Sequence, residues 1–148
     1  MNGVYFWIEA IVNTLTPKTH VSLLVMSFLT WGFFVLLGLP DYYQSWSFSA
    51  KIAICIAVTI LYIPLTPFIL KRIDRKNYLS NSLWLALYLT LPLFIYDYVF
   101  IVLIGGDNLS FVFRYWYLSF FYLSFWIQFP LIAYFMMLPG EQSEMGEL

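Results

Sequence analysis

Residues 82–104 read SLWLALYLTLPLFIYDYVFIVLI, a run with a single charge, Asp97, among apolar, aromatic and hydroxyl side chains. A helix needs about 20 mainly apolar residues to cross the hydrocarbon core of a bilayer. This run has that length, and it lacks the short alternating pattern of a barrel strand. Three further stretches follow the same grammar on either side of it, at 21–39, 52–70 and 113–138. Each is punctuated: Pro40-Asp41 closes the first, Lys71-Arg72-Ile73-Asp74-Arg75-Lys76 the second, and Gly105-Gly106-Asp107-Asn108 the run that holds Asp97. Of the 148 residues 62% are hydrophobic, 22% aromatic and 10% charged, too few charges to clothe the surface of a water-soluble domain. The sequence therefore predicts an all-α membrane protein, a single domain over 1–148 with four transmembrane helices in a bundle.

Ahead of the first span, Val4, Ile8, Ile11 and Leu15 recur on one helical face while Glu9, Asn13 and Thr16 take the other. That pattern predicts a short interfacial amphipathic helix over residues 4–15, with Thr16-Pro17 making the turn into the membrane. The first fifteen residues lack the basic start of a secretory signal and are read as part of the mature protein. The acidic tail 139–148, with Glu141, Glu144 and Glu147, reads as a solvated end. Lys18, Lys71, Arg72, Arg75 and Lys76 fall on one side of the threaded spans and only Lys51 and Arg114 on the other. This asymmetry predicts cytoplasmic termini, in an inner or plasma membrane.

Several function classes are excluded by what the chain lacks. Seven Lys and Arg at a net charge of −1 leave no footprint for nucleic acid. With Cys55 alone there is no internal disulfide, and with His20 alone neither a bis-histidine haem nor a histidine-rich metal site. His20 is separated from Asp97 by half the membrane, so a Ser-His-acid triad cannot be assembled, and Glu9 lies at a different depth. Asn108-Leu109-Ser110 matches the glycosylation pattern as a chance occurrence beside the membrane. No catalytic or metal-binding residues are predicted.

Asp97 is the outstanding group, because no other charge stands between Lys76 and Asp107. A carboxylate placed that deep costs roughly 3 kcal/mol on insertion scales. It reads either as a buried clamp that bonds neighbouring helices or as a proton-carrying or ligand-anchoring group. Candidate partners follow from depth and face. Cys55, Thr59, Tyr62 and Thr66 form one polar stripe, and Tyr115, Ser119, Tyr122 and Trp126 another. Thr90 continues the polar side of the third span. The expected intramembrane cluster is Asp97, Thr59, Tyr62, Tyr122 and Thr90.

The opposite face of the fourth span carries Tyr117, Phe121, Ser124 and Gln128, which predicts an association face toward a second copy or another membrane subunit. Thirteen of the 25 residues at 111–135 are aromatic. Tyr115, Trp116 and Tyr117 on this span, and Tyr42, Tyr43 and Trp46 on the first loop beyond the membrane, read as interfacial belts. The deeper Phe120, Phe121, Phe125, Trp126 and Phe129 serve packing or would line a site for a lipid, quinone or pigment, although no cofactor is predicted. Pro64, Pro67, Pro92 and Pro130 each remove a donor inside a span and predict kinks. The function expected is a small non-enzymatic subunit of a larger membrane assembly. Two alternatives are a transporter or channel component with a pathway around Asp97, and, more remotely, an intramembrane enzyme acting on a lipid or isoprenoid.

Overall fold

Polar caps set where the helices begin. In the computed structural model, which describes residues 15–138, helix α1 (Pro17–Gly38) starts on Thr16, whose hydroxyl accepts from the Thr19 amide at 3.3 Å with Pro17 at the first helical position. Helix α2 (Phe48–Ile73) starts on Ser47 in the same way, its hydroxyl accepting from the Ala50 amide at 3.2 Å. Helix α3 (Tyr78–Asp97) continues as a π-helix over Tyr98–Ile104. A one-turn helix α4 (Phe111–Arg114) precedes helix α5 (Trp116–Met137). Four helical stretches are long and apolar enough to cross a membrane: Pro17–Gly38, Phe48–Ile73, Tyr78–Ile104 and Trp116–Met137. No strand occurs among the described residues.

The first three helices begin several residues before their apolar windows, because capping residues and first turns are polar and hydropathy does not register them. The stretch 113–138 is not one helix from its start. The chain breaks at Tyr115 (φ −101°, ψ 49°), and α4 is tied down by the Arg114 guanidinium on Asp107 at 2.8 Å. The amphipathic helix expected over 4–15 and the tail 139–148 lie outside the described residues, save Leu15, which packs half-buried against the core.

One apolar core draws on every spanning helix, with Leu23 from α1, Val58 and Tyr62 from α2, Leu85, Leu89 and Leu93 from α3, and Phe125 and Phe129 from α5. Helix α3 lies along α5 and α1, while α2 leans on α5. The outward faces are greasy; Leu36, Leu123 and Ile127 are each more than 70% exposed. Such surfaces are stable against lipid and costly against water. The architecture is that of an integral membrane protein.

Pro64, Pro67, Pro92 and Pro130 all sit inside unbroken helices. Side chains and neighbouring helices meet backbone groups in these loosened turns. In the turn before Pro64, the Gln128 amide of α5 donates to the Thr59 carbonyl at 2.8 Å, and before Pro67 the Thr66 hydroxyl donates to the Tyr62 carbonyl at 2.6 Å.

Candidate functional site

Asp97 closes α3 where the backbone changes to π-helical bonding, and its side chain is 3% exposed. A buried carboxylate is tolerable only when its lone pairs are occupied. Three elements supply the donors. The Trp31 indole of α1 donates to Oδ1 at 2.9 Å, the Tyr42 hydroxyl from the loop after α1 donates to the same oxygen, and the Tyr122 hydroxyl of α5 donates to Oδ2. Because an indole N–H can only donate, Oδ1 accepts from Trp31 whatever the protonation state of the carboxyl.

The loop that delivers Tyr42 is bent by design of its sequence context. Tyr42 and Tyr43 both hold left-handed backbone angles, φ 57° and 68°, which bulky residues adopt only when their surroundings compensate. The compensation is visible in each ring. Tyr42 bonds Asp97, while the Tyr43 hydroxyl donates to the Phe34 carbonyl at 2.5 Å, and Gly38 leaves room for the Tyr43 ring against α1. Burial, and then the neighbouring Asp97, hold the Tyr42 hydroxyl well above the ordinary tyrosine range, and burial pushes Tyr43 up to about 12. Both remain proton donors at any physiological pH.

Beside the carboxylate lies a chamber of about 40 Å³ between the helices, walled by Asp97, Tyr122, Phe34, Val58, Leu93 and Phe121. That is room for a water or two. Tyr43, Tyr117 and Lys51 line it as well. The Lys51 ammonium donates to the Gln44 carbonyl at 3.2 Å and lies 5.4 Å from the centre of the Tyr117 ring. Toward the Lys71–Lys76 end, Leu89, Leu93, Tyr62, Phe125 and Phe129 form the apolar core.

Of the residues expected around Asp97, the structure brings Tyr122 to it and sends the others elsewhere. The Thr59 hydroxyl is satisfied within its own helix by the Cys55 carbonyl at 2.8 Å. Tyr62 is buried against the rings of Phe125 and Phe129, with centroids 4.9 and 5.6 Å away. Thr90 donates to the Ala86 carbonyl at 2.8 Å and accepts from the Trp126 indole at 3.1 Å, a second and separate tie between α3 and α5. A third tie joins α1 to α3 near the other end, where His20 Nδ1 meets the Tyr88 hydroxyl at 2.7 Å.

On the face expected to meet a partner, Phe121, Ser124 and Gln128 are half-buried. Tyr117 is buried, accepts from the Gln44 amide at 3.0 Å and donates to the Tyr42 carbonyl. Phe121 lines the chamber and Gln128 reaches α2. Gln128 therefore has its donor met within the chain, while Gln128 Oε1 and the Ser124 hydroxyl are buried without a partner. The expectation of a docking face here rested on two polar sides of α5; a third helix covers the second side.

Trp31 and Tyr42 carry two of the three bonds to Asp97 and were not legible as its partners. Trp31 sits on a helix from which the sequence predicts no partner for Asp97, and Tyr42 reads as an interfacial ring until the loop is seen to fold back. Compared with protein-family models, curated proteins and solved structures, the chain matches none.

Proposed function

We propose that this chain is a small non-enzymatic integral membrane protein acting as a subunit of a larger membrane assembly, in which Asp97 is an internal fastener for the Lys51 end of the helices. The observation that supports this reading is that three donors from three elements engage both oxygens of Asp97, an arrangement suited to a carboxylate that holds helices together. The Lys and Arg asymmetry puts both termini and residues 71–76 on the cytoplasmic side. A partner would dock on a lipid-facing surface, since Gln128 is engaged by α2.

A second reading, a transporter or channel component with a proton or ligand pathway around Asp97, is favoured by the chamber that ends at the carboxylate. The two differ in what Asp97→Asn does. An amide preserves hydrogen bonding without a titrating proton, so the fastener reading expects Asp97→Asn to accumulate in membranes, and to cross-link to neighbouring proteins, at close to wild-type levels. The test combines quantitative cross-linking in native membranes with proton flux in reconstituted vesicles. Normal accumulation of Asp97→Asn together with loss of a wild-type proton flux would give the site to the pathway reading instead.

A further inference from the structure

Helices α1 and α2 both pack on other elements and leave an open groove between them at the Lys18 end, about 410 Å³ in volume. Its chemistry is graded. From α1 it takes Lys18, Thr19 and Ser22 above Leu23 and Met26, and from α2, which runs the other way, it takes Arg72 and Ile73 above Phe68 and Ile69. Apart from Ile73, the cations and hydroxyls thus meet at one level and the apolar side chains at the level below. Arg72 is aimed rather than free to wander, because its guanidinium rests over the Phe68 ring at 4.7 Å.

We propose that this groove is a binding site for one anionic glycerophospholipid, its phosphate between Lys18 and Arg72 and the start of an acyl chain along Leu23, Met26, Phe68 and Ile69. Charge complementarity selects the headgroup: two cations and the Ser22 hydroxyl supply donors to a phosphate, the Thr19 hydroxyl being bonded to Thr16 at 2.8 Å, and among the described residues no carboxylate lines the groove. The depth profile selects a lipid over a soluble phosphate compound, since the apolar floor lies on the membrane side of the cations. Lys71, Arg75 and Lys76 stand on the same end of α2 and its following loop and add to the attraction without lining the groove. The inference rests on the membrane embedding of the chain and is independent of the role of Asp97.

The test uses the full chain with phosphatidylglycerol and phosphatidylcholine as probes, read by native mass spectrometry during stepwise delipidation. Wild type retains one phosphatidylglycerol after phosphatidylcholine is lost. Lys18→Gln combined with Arg72→Gln lowers that occupancy roughly 10- to 30-fold, as two interfacial cations near an anionic headgroup imply, whereas Arg75→Gln with Lys76→Gln, an equal change in charge off the groove, retains it. Equal loss from both double variants, or wild type holding the two lipids alike, would overturn the site. A photoreactive side chain at Ser22 adds a second reading: capture of phospholipid supports the proposal, and capture of residues 1–14 in its place contradicts it. Release of the chain from membranes by alkaline carbonate without detergent would contradict the embedding itself, and the inference with it.

Discussion

Trp31, Tyr42 and Tyr122 converge on Asp97 from α1, the following loop and α5, so each donor ties a different piece of chain to α3. Hydrogen bonds between helices in membranes contribute about 0.6 kcal/mol on average and up to about 1.7 kcal/mol, and removing a donor here also leaves a buried acceptor short of a partner. Tyr122→Phe and Trp31→Phe are each expected to lower stability by about 1–2 kcal/mol, measured by denaturant unfolding in detergent micelles. Combining either with Asp97→Leu should cost less than the sum of the separate effects, because both changes remove the same bond. Strict additivity in that cycle would show that the bonds to Asp97 contribute nothing to stability.

At the scale of elements, the tight place is the crossing of the first loop over the end of α1. A Cβ added to Gly38 would stand 2.7 Å from Tyr43 Cδ2, inside contact distance of a ring that is itself 3% exposed and bonded to Phe34. Gly38→Ala is expected to destabilise by about 1–3 kcal/mol through forced displacement of that ring. Gly32, six residues earlier on the same helix, has nothing within 4 Å of such a Cβ; Gly32→Ala should be neutral or gain up to about 1 kcal/mol from helix propensity. Thermal unfolding of the two variants side by side separates the clash from propensity. The loop between α2 and α3 is pinned differently. The Asp74 carboxylate accepts from the Lys76 amide at 3.0 Å and the Asn77 side chain at 2.9 Å, bonds that hold its pKa below the usual aspartate range. A depressed pKa means that its stabilisation is complete above the ordinary aspartate value and is lost as pH falls through the depressed one. Being solvent-exposed, Asp74 is expected to give only a small drop in Tm between pH 6 and pH 3, and Asp74→Asn should remove that component. A drop of unchanged size in Asp74→Asn would assign it to other groups.

The whole molecule was legible in the sequence where hydropathy decides and illegible where chain reversal decides. Four spanning helices follow from four apolar runs, and the depth of Asp97 and Tyr122 follows from counting along two of them. Counting cannot reveal that residues 39–47 fold back to place Tyr42 inside, because left-handed angles at two consecutive tyrosines run against local propensity and are sustained only by tertiary contacts. Nor does a helical wheel say which of two polar faces meets the chain's own α2, so the Gln128 bond to the Thr59 carbonyl is not readable from it. In the proposed reading Asp97 locks α1 and α5 against α3. Pulsed electron resonance between spin labels at Phe33 and Phe120, both exposed side chains, in a Cys55→Ala background and a lipid bilayer, tests it directly. One narrow distance is expected for the chain with Asp97 and for Asp97→Asn, and a broad distribution for Asp97→Leu, which strands an indole and two phenol donors. A distribution as narrow in Asp97→Leu as in the chain with Asp97 would contradict it.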